Sequence, residues 1–409
     1  MASIWMLNQY AETPTDSGGT RHYELARHLV EMGHEVTIVC SDFHHASRRR
    51  RRRNIRAATE LVNGVRFVWI GAGVTYQRNS LARALNMMEF ALRAWLEGRW
   101  RFGLSAPKPN LIIGSSPHLL SAWAGLRLSK RFAVPFVFEI RDLWPETFIE
   151  MRVLSPQHLI VRLLRHLEAT LVRRAVRVIS LLPQVTDYLT ERRLPSDHVV
   201  IVPNGVDAAA FACAPVEADR SSLCVTYVGA HGTANGLHHV LDAASRLLEE
   251  KDVEFHFYGD GPERKGLIER AGKEHLRNVF FHPAVPKSEV PNILCRADLL
   301  LLNYAPIGIG KYGISPNKLW EYMAACRPIL FAHEAVENPV HIAQCGICVR
   351  PGAPDELASA IRQFLHLPAL ERQAMGERGA CHAREHHDWT LLAARIDRVV
   401  QELVPTQDI

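Results

Sequence analysis

The segment Ser315-Pro316-Asn317-Lys318-Leu319-Trp320-Glu321-Tyr322-Met323-Ala324-Ala325-Cys326-Arg327-Pro328-Ile329 puts a turn, a cation and a carboxylate at the head of a helix, and the helix runs into a Pro-led apolar strand. The chemistry on offer there is anion binding. A helix N-terminus presents unpaired backbone N–H groups and a positive dipole end, which together favour a phosphate. Lys318 falls in the first turn, where a cation opposes the dipole, so a bound polyanion explains it better than helix stability does. Glu321, three residues on and on the same face, is at the right reach for a sugar's paired hydroxyls. The competing reading is a capped amphipathic helix with solvated charges.

Other stretches offer related chemistry. Gly18-Gly19 follows a strand and opens a helix, so backbone can approach a diphosphate there. Gly229-Ala230-His231-Gly232-Thr233-Ala234-Asn235-Gly236 sits in the same strand-to-helix position, whereas Gly259-Asp260-Gly261-Pro262 reads equally as a plain turn. Neither loop fits the nicotinamide fingerprint. Phe138-Glu139-Ile140-Arg141-Asp142 ends a strand in charged residues, which at a sheet edge face a cleft because unpaired burial is costly. Ser115-Ser116-Pro117-His118 ends another strand, with His118 either chemical or an exposed residue in a helix N-cap region. The 21 histidines show no metal-ligand spacing, and Cys345-Gly-Ile-Cys348 has no second pair, so no metal is expected. Signatures of acyl transfer and of ATP hydrolysis are absent.

The elements that position these residues alternate strand and helix along all 409 residues, the pattern of parallel sheets with crossover helices. That length suits two domains. Strands are expected at Ser3 to Leu7, Glu35 to Cys40, Leu111 to Gly114, Phe136 to Ile140, Val176 to Leu181 and Val199 to Val202. After a linker at Pro203 to Arg220 come Leu223 to Val228, Glu254 to Tyr258, Asn278 to Phe281, Asp298 to Asn303 and Ile347 to Arg350. The division reads as residues 1–203, residues 204–385 and a C-terminal helix in 386–409 that packs back on the first domain. Scattered cysteines suit a reducing cytosol, and neither a membrane-spanning run nor a signal peptide is visible.

The net charge of +5 is unevenly distributed: from Arg48 to Arg101 there are thirteen arginines against Glu60, Glu89 and Glu97. Arg48 to Arg53 reads as a solvated loop that seeks an anionic surface and cannot be a packed element. Asn79 to Phe102 has helical periodicity interleaved with arginines, which suits an anionic membrane face or, equally, a core-packing helix with a wet side. No nucleic-acid module accompanies the basic patch.

In their order and spacing, the Gly-Gly loop with R-H-Y-E-L-A-R-H-L, S-S-P-H, E-I-R-D-L-W-P-E, P-N-G-V-D, Y-V-G-A-H-G-T-A-N-G-L, Y-G-D-G-P and S-P-N-K-L-W-E-Y-M-A-A-C-R-P-I-L resemble the retaining GT-B-fold nucleotide-sugar glycosyltransferases. The chain is most similar to bacterial fucosaminyltransferase-type enzymes of O-antigen and capsule assembly. The resemblance implies an α/β protein of two doubly wound Rossmann-like domains facing across a cleft, the first binding acceptor and the second the donor, a nucleoside diphosphate sugar read as UDP-linked. It implies that Glu321 holds the ribose, that Lys318, Ser315 and Asn317 hold the diphosphate, that Gly18, Gly19 and the Gly229, His231, Gly232 loop cradle phosphate, and that backbone at Val285 meets the base. Gly259 joins the substrate-binding set. No cofactor is implied. The acceptor is a glycan or a polyprenyl-diphosphate-linked sugar, and the enzyme is cytoplasmic and peripheral on the inner face of the plasma membrane.

Three positions depart from the family. Gly313 stands where the family has an acid, His231 and Asn235 stand where Arg and Lys are common, and Arg141 stands where a His is common. Lys318 and Lys311 are then left to neutralise the leaving diphosphate. Asp142 is the candidate acceptor base, with Arg141 and His118 beside it. An epimerase on the same fold and a non-catalytic membrane-associated scaffold remain as other readings.

Overall fold

The computed structural model describes the chain except residues 17–18, 46, 52–56, 78–80, 117, 151–152, 212–221, 251, 307–309, 335–336 and 406–409. The chain divides into two compact units, Met1–Pro203 with Trp389–Ile409, and Asn204–Asp388. In chain order the first unit runs β1 (Ser3–Leu7), α1 (Arg21–Glu31), β2 (Glu35–Ser41), β3 (Phe43–His44), β4 (Arg49–Arg50), β5 (Ala58–Val62), β6 (Val65–Ile70), α2 (Leu81–Gly98) and α3 (Arg101–Leu104). It continues with β7 (Leu111–Ser115), α4 (Leu119–Phe132), β8 (Phe136–Ile140), α5 (Glu146–Glu150), α6 (Leu159–Arg174), β9 (Arg177–Ser180), α7 (Val185–Glu191) and β10 (Val199–Ile201). The second unit comprises β11 (Leu223–Val228), α8 (Leu237–Ser245), β12 (Val253–Tyr258), α9 (Arg264–Lys273), β13 (Val279–His282), α10 (Val290–Arg296) and β14 (Leu299–Asn303). It ends with α11 (Asn317–Ala324), β15 (Ile329–Ala332), α12 (Pro339–Ile342), β16 (Gly346–Val349), α13 (Pro354–Leu365) and α14 (Ala369–His386), after which α15 (Trp389–Leu403) returns to the first unit.

The first unit's sheet has the order β10-β9-β8-β7-β1-β2-β6-β5. It is parallel except for β5, which turns back on β6 through Asn63-Gly64. Both turn residues have positive φ, the conformation that Asn and Gly tolerate and that matches strand twist in a two-residue hairpin. One face of the sheet packs on α1 and α15, whose Leu392, Ala393 and Ile396 join Leu25 and Leu29 in a common core. On another core, Phe90, Ala91 and Ala94 of α2 meet Ala124 and Leu128 of α4.

The second unit's sheet is fully parallel in the order β13-β12-β11-β14-β15-β16. Its strands read as near-continuous apolar runs because both faces are covered. Leu299 and Leu301 of β14 enter one core while Leu300 and Leu302 enter the other, as the two-residue strand period requires. Strand order reverses between β11 and β14, and ligands bind at the carboxyl ends beside such a reversal in doubly wound sheets.

Several expectations are corrected here. The arginine run is in part a packed element: Arg49–Arg50 pair antiparallel with Phe43–His44. Arg50 bonds Asp42, and Arg51 bonds Asp16 and Glu12 while its guanidinium lies 4.5 Å above the Trp69 ring. Buried carboxylates recruit these side chains away from solvent; Arg52 and Arg53 lie outside the described residues. The boundary expected at 385/386 falls inside the last turn of α14, and the units divide at Asp388/Trp389. Asn79 also lies outside the described residues, and the helix expected from it runs as α2 to Gly98. No described helix is long and apolar enough to cross a membrane.

Glu139 does not face solvent at the sheet edge. It is buried and accepts from Arg21 Nε (2.9 Å), His22 Nε2 (2.8 Å) and Ser115 Oγ (2.5 Å). Arg21 also donates to the carbonyls of Val202 (2.8 Å) and Pro203 (2.6 Å), tying α1, β8 and the end of the first unit together. Burial alone would raise the Glu139 carboxyl, but the His22 and Arg21 side chains that bond it outweigh this and hold the group well below its ordinary value. We expect Glu139→Gln to cost about 3–5 kcal/mol in urea unfolding, because Arg21 is left as a buried charge without its counter-ion. A loss under about 1 kcal/mol would contradict this role.

Candidate active site

The residues with most chemical content in the second unit gather at the carboxyl ends of β11 and β12 and at the start of α11. Two glycine loops leave those strands and close on each other. Gly229 N–H donates to Tyr258 O (2.9 Å), His231 N–H to Asp260 O (2.8 Å) and Glu263 N–H to His231 O (3.0 Å). A Cβ on Gly259 would lie 1.9 Å from Gly229 O, and one on Gly261 would lie 2.5 Å from His231 O, both glycines having positive φ. A Cβ on Gly229 would lie 2.8 Å from Lys318 Nζ. These glycines are therefore explained by backbone meeting backbone and by room for a lysine. Gly232 differs, since a Cβ there meets only Asn235 Nδ2 at 3.8 Å, so it faces open space.

Lys318 sits in the first turn of α11, where Pro316 at the N-cap supplies no side-chain cap. Its Nζ donates to Tyr227 Oη (2.9 Å) and to Asn235 Oδ1 (3.1 Å) and lies 4.6 Å over the Tyr227 ring. Burial pulls the ammonium down to about 8, with Glu321 opposing that shift. Burial likewise raises the Glu321 carboxyl, offset by Lys287 and Lys318. Tyr227 Oη and Asn235 Nδ2 both donate to Ala230 O (2.7 and 2.8 Å), so the groups that hold Lys318 also hold the loop. Tyr322 pins α11 to β11 by accepting from Val228 N–H (2.8 Å) and donating to Val228 O (3.2 Å). Asn303, at the end of β14, donates to Asn235 O and Gly236 O (2.8 and 3.1 Å).

The other expected residues of this unit are distributed around that centre. The Ser315 hydroxyl accepts from Asn204 N–H (2.7 Å), and Asn204 Nδ2 donates to Ser315 O (2.5 Å), so Ser315 serves the turn as well. Asn317 Oδ1 is buried and has no hydrogen-bond partner in the protein. His231 is fully buried among Tyr227, Phe257 and Phe281, and neither ring nitrogen has a partner. Burial, aided by Arg264, lowers its ring to about 4, so it is neutral at physiological pH. Val285 is half-buried in the loop after β13, and Lys311 is exposed with its Nζ 2.9 Å from Tyr312 Oη. Gly313 has φ +86°, a conformation costly for a side-chain-bearing residue, so the backbone itself disfavours an acid there.

In the first unit, Gly18 lies outside the described residues and Gly19 is half-buried ahead of α1. Ser116 Oγ accepts from the N–H groups of Arg141 (2.9 Å) and Asp142 (3.5 Å), setting the loop that leaves β8. Arg141 is half-buried and its Nε has no partner. Asp142 is exposed, yet displaced water raises its carboxyl, with Arg141 opposing. His118 caps α4 through Nδ1, accepting from Ser121 N–H at 3.3 Å, but it is buried, correcting the exposed alternative. Burial takes its ring to about 3 and its Nε2 is left without a partner.

Sequence reasoning missed Tyr227 and Asn235 as the partners of Lys318. It also missed Arg264, a cation at the first position of α9, whose Nε is buried without a partner beside the His231 loop. The signal was present: Arg264 opposes its helix dipole as Lys318 does.

With this geometry in place, residues 18–205 match the Glycosyl transferase 4-like domain, and residues 222–366 match the family Glycosyl transferases group 1. The chain belongs to the group 1 glycosyltransferases of GT-B fold. It is 24% identical over 370 residues to the candidate colanic acid biosynthesis glycosyl transferase WcaI of Escherichia coli K12, covering 84% of this chain and 88% of that one. In fold it is similar to a sucrose-phosphate synthase from Thermosynechococcus elongatus (TM-score 0.76, 16% identity, 98% and 99% of the two chains). It is also similar to Anabaena HepE in complex with UDP and glucose (TM-score 0.69, 15% identity, 98% and 100%).

The glycine geometry yields a paired outcome. Gly259→Ala should cost about 3 kcal/mol in chemical unfolding, since the clash is with backbone. Gly232→Ala should stay within ~0.5 kcal/mol. Equal stability losses in the two variants would contradict the packing account.

Proposed function

We propose that this glycosyltransferase moves a sugar, with retention of anomeric configuration, from a UDP-linked hexose or N-acetylaminosugar to a glycan or polyprenyl-diphosphate-linked acceptor in cell-surface polysaccharide assembly. It would act at the inner face of the plasma membrane. The observation that carries the donor half is Lys318, a partly desolvated cation at an uncapped helix N-terminus beside the strand-order reversal. WcaI's name and the UDP bound to HepE support the pathway and the nucleotide.

In this reading the bond from the sugar's anomeric carbon to the diphosphate oxygen breaks, and a bond to the acceptor hydroxyl oxygen forms on the same face. The hydroxyl proton passes to the departing diphosphate or to Asp142. Lys318 and the first-turn N–H groups of α11, with Arg264 as a second cation, stabilise charge on the leaving UDP. Glu321 takes the ribose hydroxyls, Asn317 Oδ1 accepts from the donor, and backbone near Val285 meets the base. Gly232 leaves room for phosphate. Arg141 and His118 orient the acceptor side, His118 as a neutral ring that offers Nε2–H. No cofactor enters.

Lys318→Ala should lower turnover on the order of 10²-fold, and Glu321→Ala should raise the donor KM, both with unchanged melting temperature. Near-wild-type kinetics in both would sink the site. The pH dependence follows from the lysine. Its cationic form prevails below about 8 in the free protein, and a bound diphosphate favours that form further. Calorimetric UDP affinity should therefore weaken above about pH 8 and show proton uptake on binding there; Lys318→Ala should remove both effects. Release of anomer-inverted product in a donor and acceptor assay would overturn the retaining assignment.

A further inference from the structure

α2 buries one face and leaves the other apolar face uncovered. Met87, Phe90, Ala91 and Ala94 lie in the core, while Leu81, Leu85, Met88, Leu92 and Leu96 recur at three- and four-residue spacing on the opposite side. Leu81 is 76% exposed, and the others are 43–49% exposed. Just beyond the helix end, Trp100 is 70% exposed. α6, which like α2 packs against α4, exposes Leu159, Ile160 and Leu163 in its first turns. Exposed apolar stripes on two helices that both pack on α4 are uncommon on a solvated surface and mark a docking face.

The charges around these stripes identify what docks. The acids of α2 and α6 are turned inward or paired. Glu89 accepts from the N–H groups of Gly73 and Val74, Glu97 bonds Arg93, and Glu168 is buried against Tyr188. The cations remain outside. Arg162, Arg173 and Arg174 are exposed on α6, and between α2 and α4 Arg99 and Arg127 lie 5.0 and 5.5 Å over the Trp95 ring, which packs edge-on to Trp123. A rim of arginine and tryptophan around leucine is the composition of a helix lying in a lipid interface. A second copy of this face would set arginine against arginine, so charge complementarity favours an anionic bilayer.

We propose that the α2–α4–α6 face of the first unit is a membrane-docking surface, in which the leucine stripe enters the headgroup and acyl boundary of an anionic bilayer and the flanking arginines meet lipid phosphates. The arginine run, in which Arg50 and Arg51 are folded onto carboxylates and Arg48 lies 5.0 Å over the Tyr76 ring, is not its principal element. This deepens the peripheral-membrane part of the proposed function, and it is read without turnover, so its failure leaves the transferase assignment standing.

The test is co-sedimentation of the full chain with phosphatidylcholine vesicles, neutral or doped with phosphatidylglycerol, at low and high salt. The expected result is binding at least about tenfold tighter to the anionic vesicles, weakened by salt because the Debye length shrinks from about 10 to about 3 Å. The pair Leu85→Glu and Leu92→Glu, at exposed positions, should weaken vesicle binding about tenfold or more with unchanged melting temperature. The same change at Leu370, exposed on α14 of the other unit, should leave binding unaltered. Equal binding to neutral and anionic vesicles, or no binding, would overturn the proposal. So would a dimer in sedimentation velocity that the Leu85 and Leu92 changes dissociate without altering vesicle binding.

Discussion

The ammonium of Lys318 sits where two forces disfavour a positive charge. The first turn of α11 presents the positive end of the helix dipole, and the surrounding protein strips water from Nζ. Hydrogen bonds from Nζ to Tyr227 Oη and Asn235 Oδ1 satisfy two of its three donors but supply no countercharge. The fold tolerates this because the same partners close the β11 loop through Ala230 O, while Tyr322 holds α11 against β11. The loop, the strand end and the helix start are thus one polar assembly around a desolvated cation that Glu321 favours. A polyanion completes it.

The departures from the wider family become physically consistent around that cation. Asn235 Oδ1 lies 3.1 Å from Lys318 Nζ, so a lysine at 235 would place two ammonium groups together in a desolvated site. An amide oxygen instead accepts a hydrogen bond. His231, at the position where arginine is common, is neutral and fully buried, so it adds no charge either. Arg264, one loop away on α9, repels the His231 proton and so stands close enough to act where position 231 does not. The glycine at 313 follows the same pattern: φ +86° suits a glycine turn, and any contact an acid would make there must come from elsewhere.

The alternation of strand and helix was legible because parallel strands buried on both faces read as short apolar runs, and β1, β8 and β11 begin and end where that pattern does. What escaped was masked by a stronger local signal. β5 and β6 lie inside the arginine-rich region, where charge hid the Asn63-Gly64 hairpin turn between two β-branched segments. α14 escaped because its buried positions are Gly376, Gly379, Ala380 and Ala383, small residues that carry little apolar periodicity. Lys318 and Glu321 could be read from helix-end chemistry. Tyr227 and Asn235 could not, because only the sheet order brings the end of β11 beside the start of α11.

Glu139 marks the limit of reading charge as function. The rule that acids at a strand's carboxyl end face a ligand assumes that nothing inside can pair them. Here Arg21 and His22, a hundred residues earlier, begin α1 beside the end of β8, and the carboxylate is committed to them. Asn8 Nδ2 donates to His22 Nδ1 at 3.0 Å, which leaves the ring proton on Nε2, directed at Glu139. A buried charge that accepts three hydrogen bonds gives geometry more than affinity, and replacing the whole set by hydrocarbon could cost little stability. What hydrocarbon could not do is fix α1 at one angle to β8 and to the Val202–Pro203 carbonyls at once. Arg141 and Asp142, just past this anchor, are not committed to it, and Ser116 holds their backbone in turn.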